Sequence, residues 1–256
     1  MNVNDLDYYI ELFRSKMIPK IIHYCWFGGK PIPEKEKACM ATWEKMLPGY
    51  TIKRWDETSF DVNSTSFTKE AYRLKKFAFV ADYVRLYALT KYGGLYLDTD
   101  IEILKPFDDL LAQHSCFGGF ETPTMLQTGV LACEPNNEIF EQFFLYYKTH
   151  TFIWGGSEAT MPNSAILRDI MTKRGLKLNN EYQCVDGFAS YPQDFFCPID
   201  QGSRQINVTD NTYCIHYLVG SWFPFSIRFK IFLKRIAGKY LGYRFVNKVR
   251  YLIGKS

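Results

Sequence analysis

Two aspartates in residues 93–102, GGLYLDTDIE, are the side chains best placed for chemistry. Asp98 and Asp100 lie between the apolar segments LYL and IEIL, and carboxylates cost free energy wherever water is scarce. In an extended chain residues two apart point to the same side, so one hard divalent cation would satisfy both. The alternative is a strand-end turn with two solvated acids, because short motifs have high false-positive rates.

The segment before this motif, AFVADYVRLYAL, predicts a helix with one acidic and one basic residue. Asp82 and Arg85 are three apart and share one helix face, while Val80, Val84 and Ala88 supply apolar contacts. A surface ion pair is one explanation. A helix this apolar has little reason to present its two charges together, however, unless they meet something polar.

Strands and helices alternate along this part of the chain. The sequence predicts, in order, a strand KIIHYCWFGG, a helix EKEKACMATWEKML, a strand YTIKRWD, one or two helices in SFTKEAYRLKKFAFVADYVRLYALTKY, and a strand LYLDTDIEIL that Pro106 ends. This alternation predicts an α/β fold with a mostly parallel sheet flanked by helices. In such sheets ligands bind at the carboxyl ends of strands, where DTD and HYCWFGG fall.

Composition and charge restrict the class of protein. The 256 residues are 47% hydrophobic and 17% aromatic, enough for one large domain with a full core. Residues 226–256 hold nine Lys or Arg and no acid, which leaves 22 basic and 27 acidic residues in 1–225. A nucleic-acid enzyme more often carries positive charge across its body, so we expect no nucleic-acid partner. We predict a domain of residues 1–225 and a basic tail of residues 226–256.

Cysteine usage and the N-terminus indicate the compartment. Seven scattered cysteines, never spaced as CxxC, suit reduced thiols better than a disulfide framework or a zinc ribbon. The N-terminal residues carry acids where a signal peptide has basic residues, and no apolar run reaches membrane-spanning length. We therefore expect a cytoplasmic protein.

The run AFVADYVRLYALTKYGGLYLDTDIEILKPFDDLL resembles the sugar-binding region with a DxD motif of glycosyltransferase family 32. That family includes the yeast initiating mannosyltransferase and many bacterial capsule and lipopolysaccharide enzymes, and the run is also similar to the clostridial glucosylating toxins. The ordered pattern AxxxDxxRxxxLxxxGGxYxDxD is far more specific than DxD alone. The segments PKIIHYCWFGG and IHYLVGSW resemble the family's N-terminal strand and its C-terminal metal-site segment.

The resemblance implies a GT-A fold, a divalent metal at the DxD motif and a nucleotide-sugar donor. Asp100 would bind the metal directly, and Asp98 would lie nearer the ribose or reach the metal through water. His216 would be a further ligand, and oxygen with imidazole donors favours Mn²⁺ over Mg²⁺. The metal would neutralise the charge that develops on the leaving diphosphate. Without the resemblance, His216 would be interpreted as a core histidine.

The same comparison implies the donor-binding residues. Trp26 would stack on the base, and Tyr24 and Cys25 would give backbone contacts to its edge, although a core tryptophan is a serious alternative. Asp82 and Arg85 would bind sugar or ribose hydroxyls, with Arg85 also near phosphate. Further residues implied at the donor or acceptor are Asp98, Gln127, Thr128, Gly129, Asn163, Ser164, Ser221 and Trp222. In the TMPNSAIL segment that carries Asn163 and Ser164, methionine replaces the family's usual glycine before proline.

No residue stands out as a general base or nucleophile. The resemblance implies a retaining hexosyltransferase in which the departing phosphate accepts the acceptor's proton, so positioning and electrostatics carry the reaction. UDP-hexose is favoured over GDP-mannose because the Trp26 strand is closer to that of the toxins. The expected acceptor is a glycan or lipid-linked glycan of capsule, lipopolysaccharide or O-antigen synthesis.

The basic tail places apolar residues at helical spacing between its charges. This pattern suits an interfacial helix on anionic lipid, and a helix packed on the domain is the alternative. We therefore predict an enzyme held peripherally at the inner face of the plasma membrane by residues 226–256.

Two other classes of protein share parts of the pattern. LYLDTDI also resembles the strand and DxD motif of haloacid-dehalogenase-type phosphatases, whose first aspartate is the nucleophile. Those enzymes place the motif close to the N-terminus with Thr or Val two residues after the second acid, where this chain has Glu102. A non-catalytic carbohydrate- or lipid-binding protein is the other alternative, since fold does not fix function.

Overall fold

The computed structural model describes residues 17–157, 159–200 and 203–219. Within them the elements follow in the order β1 (Ile21–Cys25), α1 (Glu34–Met46), β2 (Thr51–Trp55), α2 (Ser66–Arg73), α3 (Phe77–Tyr92), β3 (Gly94–Leu97), β4 (Ile101–Ile103), α4 (Asp108–Gln113), β5 (Cys116–Thr122), β6 (Met125–Leu126), β7 (Val130–Cys133), α5 (Glu138–Thr149), α6 (Asn163–Lys173), β8 (Gln183–Val185), β9 (Phe188–Tyr191), α7 (Gln193–Phe196) and β10 (Cys214–His216).

Some predictions concern residues outside these ranges. Ser221, Trp222 and the tail of residues 226–256 are not among the described residues, so the division of the chain at residue 225 stays a prediction. No helix in the described part of the chain has the length and apolar character needed to cross a bilayer.

The main sheet has eight strands in the order β2-β1-β3-β7-β5-β9-β8, with β6 paired to β5. Strand β1 lies between β2 and β3 and is parallel to both, and β5 is parallel to β9. Strand β7 is antiparallel to both β3 and β5, and β8 is antiparallel to β9. The α/β class predicted from the alternation is confirmed, and the parallel half of the sheet carries the predicted motifs.

Buried apolar residues form two clusters that alternate along the strands. Leu95 and Leu97 of β3 belong to one cluster and Tyr96 to the other, and β7 divides in the same way. Because successive strand residues point to opposite faces, the clusters lie on the two sides of the sheet. The sheet is thus covered on both faces.

Helix α3 and the glycines after it follow the predicted pattern. Val80, Val84 and Ala88 are fully buried, as expected for the apolar face. The helix ends at Gly93, whose φ of 62° favours glycine. A Cβ on Gly93 would lie 2.7 Å from the Pro135 nitrogen, and one on Gly94 would lie 2.6 Å from the Ile21 carbonyl oxygen. Side chains at these positions would therefore separate β3 from its neighbours.

The predicted strand LYLDTDIEIL is wrong as a single element. Strand β3 ends at Leu97 in the main sheet, and β4 pairs with β10 in a separate two-stranded sheet. Between them the chain turns, and the Ile101 N–H donates to the Asp98 carbonyl oxygen at 3.1 Å. The two aspartates therefore share a turn, not one face of an extended strand.

Candidate metal and donor site

Three predicted ligands meet at the turn between β3 and β4. Asp98 and Asp100 come from the turn, and His216 comes from β10, opposite Ile101 in the register. One ligand atom of each lies within 4.8 Å of the others. His216 Nε2 is 3.4 Å from Asp100 Oδ1 and 3.7 Å from Asp98 Oδ2. Strand pairing thus brings together residues that are distant in sequence.

The electrostatics of the cluster favour a positive charge. Burial would raise the pKa of Asp100, but the His216 charge and hydrogen bonds from His216 and the Val219 N–H lower it to about 2. Burial would lower the pKa of His216, but Asp100 and Asp98 raise it to about 9. A proton on the imidazole balances the two carboxylates in this structure.

The surroundings of the cluster fit a divalent cation. Two carboxylates and an imidazole are a donor set that Mn²⁺ accepts. A Cβ on Gly129 would lie 2.5 Å from His216 Cε1 and 2.9 Å from Asp98 Oδ2, so glycine is required for these ligands to converge. Gln127 is fully buried, and its Nε2 has no protein partner among the described residues. Because an amide N–H only donates, the missing partner of Gln127 Nε2 is a hydrogen-bond acceptor and not the cation itself.

Gln127 also orients His216. Its Oε1 lies 3.3 Å from His216 Nδ1. Since an amide oxygen only accepts, this contact requires a proton on Nδ1 and directs Nε2 toward the carboxylates.

Arg85 lies next to the DxD turn and contacts several hydrogen-bond acceptors. Its guanidinium is 3.0 Å from Asp82 Oδ1 and 3.4 Å from Asp98 Oδ1, and it donates to the Thr128 carbonyl oxygen at 2.6 Å. It also lies over the Tyr96 ring at 4.5 Å. Burial would lower the pKa of Arg85, but Tyr96 and the two aspartates raise it. Asp82 and Arg85 on α3 therefore meet a polar partner, the Asp98 carboxylate, as their spacing predicts.

At the end of β1, two of the predicted donor-binding side chains are buried and the third is half-buried. The side chains of Tyr24 and Cys25 are buried, with Tyr24 edge-on to Trp43 and burial raising the pKa of the Cys25 thiol. Only their backbones are left for the predicted contacts with a base. Trp26 is half-buried, and its Nε1 donates to the Lys30 carbonyl oxygen at 2.6 Å. Its stacking role stays a prediction.

Sequence reasoning missed residues that support the site. The Tyr96 hydroxyl donates to Asp98 Oδ1 at 3.0 Å, and its place two residues before Asp98 could have indicated this. Glu57 accepts from the Gly28 N–H at 2.6 Å and from the Tyr72 hydroxyl at 2.9 Å, and no local pattern indicated it. Glu57 thereby fixes the glycine turn after β1.

Asn163 begins α6 beside the site. It is almost fully buried, its Nδ2 lies 3.4 Å from the Asp82 carbonyl oxygen, and its Oδ1 has no partner among the described residues. The neighbouring Ser164 is half-buried on the same helix. The predicted roles of both residues are untested by this geometry.

Residues 33–117 match the family model described as "Glycosyltransferase sugar-binding region containing DXD motif". The resemblance to the DXD glycosyltransferases is confirmed. The sheet with a DXD turn at the end of an inner strand is the GT-A arrangement that this resemblance implies, so the fold class is confirmed as well. The match favours a glycosyltransferase over the phosphatase alternative.

Two relatives of this chain are glycosyltransferases by name. The chain is 27% identical over 239 residues to "Uncharacterized glycosyltransferase L373" of Acanthamoeba polyphaga mimivirus, covering 88% of this chain and 90% of that protein. It is 32% identical over 106 residues to "Inositol phosphoceramide mannosyltransferase 3" of Schizosaccharomyces pombe, covering 38% of this chain and 28% of that protein. The chain thus spans little more than a quarter of the mannosyltransferase.

A solved structure also overlaps with this fold. It is a glycosyltransferase involved in the glycosylation of the major capsid of PBCV-1, 12% identical, with a TM-score of 0.49 over 84% of this chain and all of that one. This degree of structural similarity does not allow site residues to be assigned from that structure.

Proposed function

We propose that this glycosyltransferase is a metal-dependent, retaining enzyme that transfers a hexose from a nucleotide sugar, with UDP-hexose favoured, to a glycan acceptor. The observation that carries the proposal is the convergence of Asp98, Asp100 and His216 next to Arg85. The cluster costs free energy to form, because the Asp100 carboxylate and the His216 imidazole are buried and lose hydration while Asp98 is only partly exposed.

The chain's own residues have separate tasks in this proposal. Asp98, Asp100 and His216 would hold a divalent cation, with Mn²⁺ favoured over Mg²⁺. When bound, the cation supplies charge neutralisation for the diphosphate leaving group. Arg85 is fixed by Asp82 and the Thr128 carbonyl, so it holds Asp98 in place and balances its charge.

Retention of configuration is proposed from the resemblance and from how the carboxylates are used. Asp82 and Asp98 contact Arg85, and Asp100 contacts His216. Carboxylates engaged in this way suit charge balance better than proton abstraction from an acceptor. We propose that the departing phosphate accepts that proton.

The acceptor and location belong to the same proposal. We infer a lipid-linked glycan acceptor of capsule, lipopolysaccharide or O-antigen synthesis, and a cytoplasmic enzyme held at the inner face of the plasma membrane. The support is the charge of residues 226–256, nine basic and no acidic residues. Removing them should abolish binding to anionic vesicles at low salt and spare donor hydrolysis. Equal vesicle binding by both forms would contradict this location.

Hydrolysis of a nucleotide-sugar panel with Mn²⁺ tests the function. A transferase releases sugar and nucleoside diphosphate slowly without an acceptor, and EDTA should abolish that release. Release of inorganic phosphate would instead support the phosphatase alternative, and no turnover would support a binding protein. The base is identified in the same panel because a bound nucleotide raises the melting temperature.

A further inference from the structure

An exposed indole stands on the segment between α5 and α6. Trp154 is 51% exposed, and Ile153 and Met161 on the same segment are 40% and 38% exposed. Large apolar side chains grouped on the surface mark binding sites more often than isolated ones do. This apolar group therefore requires an explanation.

The protein holds the indole in place. The Lys76 ammonium lies 3.5 Å from the centroid of a Trp154 ring, and Phe79 meets the indole edge-on at 5.9 Å. The segment is closed at its base, since the Ile153 N–H donates to Thr160 Oγ1 and the Thr160 N–H donates to the Ile153 carbonyl oxygen. An aromatic ring that is fixed but half-exposed binds a partner at little entropic cost.

The position of Trp154 connects it to the metal and donor site. Its partner Phe79 lies on α3 three residues before Asp82, about one helical turn away. The segment then runs directly into α6, where Asn163 contacts the Asp82 carbonyl oxygen. The indole therefore contacts α3 about one helical turn before Asp82.

We propose that Trp154 is the platform on which a pyranose ring of the acceptor stacks. This inference rests on the proposed function and adds the place where its acceptor binds. A pyranose has an apolar C–H face, which suits a flat indole, and hydroxyl groups at its rim, which need hydrogen-bonding neighbours. Because Lys76 covers one face of the indole, the sugar would stack on the opposite face, where Thr160 and the backbone of the glycines at 155 and 156 would be its hydrogen-bonding neighbours.

A lipid chain fits this surface less well. It would need a continuous apolar area, whereas Gly155 and Gly156 follow the indole, each with positive φ and open space where a Cβ would stand. The two residues after the indole therefore add no apolar side chain that a lipid chain could contact.

Saturation-transfer NMR on the full chain with methyl glycosides of glucose, galactose, mannose and N-acetylglucosamine tests this platform. At least one glycoside should bind the wild-type protein. Trp154→Ala should raise its dissociation constant by about tenfold or more, the range expected for loss of aromatic stacking, and Trp154→Phe should retain part of the affinity. Tyr182→Ala is the matched control, because Tyr182 is also 51% exposed but lies next to β8.

The same samples separate this inference from the proposed function. The rise in melting temperature produced by UDP with Mn²⁺ should be equal in wild type and Trp154→Ala. Failure of every nucleotide to bind the wild type would contradict the proposed function alone. The platform is refuted if no glycoside binds, if Trp154→Ala binds as the wild type does, or if the variant loses only binding to phosphatidylglycerol vesicles.

Discussion

The tripeptide Ile-His-Tyr occurs within β1 and again at the end of β10, where Tyr217 follows the strand, and its histidine has opposite properties in the two places. His23 in β1 is fully buried, Nε2 lies 2.8 Å from the Gly93 carbonyl oxygen, and the Trp55 indole donates to Nδ1 at 3.1 Å. Burial lowers the pKa of His23 to about 4, so its ring is neutral. His216 in β10 is also buried, yet its pKa rises to about 9.

The difference between the two histidines lies in strand pairing. Strand β1 sits between two parallel strands, where the His23 ring finds a carbonyl and an indole. Strand β10 pairs with β4, which directly follows the two aspartates. The role of each histidine is therefore set by the residues that the fold brings against it, and not by the local sequence around it.

Removing one charge from the cluster of Asp98, Asp100 and His216 should have the largest effect on donor turnover. We expect Asp100→Asn to lower donor turnover by about a hundredfold to a thousandfold, because it removes a negative charge from the proposed metal site, which would stabilise the leaving group. Mn²⁺-dependent release of nucleoside diphosphate measures this change, with circular dichroism to confirm an intact fold. Turnover within a factor of two of the wild type would place the chemistry elsewhere.

Crowding the same cluster should have the next largest effect. Gly129→Ala introduces a Cβ 2.5 Å from His216 Cε1, so the imidazole of this proposed metal ligand must move. We expect turnover to fall by about a hundredfold, as for other small displacements of catalytic groups. Gly49→Ala is the control, since a Cβ there meets nothing within 4 Å. Equal losses in both variants would mean that the ligands are not packed as described.

Replacing His23 in β1 should instead lower the stability of the fold. His23→Leu leaves the Gly93 carbonyl and the Trp55 indole without buried partners, and we expect it to lower the free energy of unfolding by about 2–4 kcal/mol. Urea denaturation measures the change. Donor turnover per folded molecule should stay at the wild-type level, and its selective loss would contradict the structural role of His23.

The sequence predicted what depends on local pattern. Buried Val80 and Val84 and the end of α3 at Gly93 follow from periodicity and the conformational freedom of glycine. Asp82 and Arg85 were placed beside a polar group by their spacing alone. The single strand LYLDTDIEIL failed because its division depends on pairing with β10, far along the chain.

Some features of the site could not be predicted from local pattern. His216 was assigned only by resemblance, since nothing near it in sequence distinguishes it from His23. The unpartnered amide of Gln127 and the exposure of Trp154 depend on tertiary packing, which no periodicity encodes.

Trp26 sharpens the comparison because it directly follows β1, the strand that carries His23. We expect Trp26→Ala to weaken donor binding by about 1–3 kcal/mol, the range for an aromatic stacked on a base. Calorimetric titration with nucleotide and Mn²⁺ measures this. If the variant unfolds and donor affinity is unchanged in the folded fraction, Trp26 is a core residue.

Mild acid should give the smallest effect. The pKa of His23 is lowered to about 4 in the folded protein from an ordinary value of 6.5, so below pH 6.5 the unfolded state binds the extra proton first. Its contribution to stability is present above pH 6.5 and is lost progressively as pH falls toward 4, by about 1 kcal/mol at pH 5.5. Urea denaturation of wild type and His23→Gln across this range isolates the contribution. Equal pH dependence in both proteins would contradict it.

Mn²⁺ binding followed by electron paramagnetic resonance tests the central claim, that β10 supplies a metal ligand and β1 does not. We predict one site per chain in the wild type, and an affinity lower by about tenfold or more in His216→Ala. His150→Ala, which changes an exposed histidine at the end of α5, should bind as the wild type does. Equal Mn²⁺ affinity in wild type and His216→Ala would contradict the account.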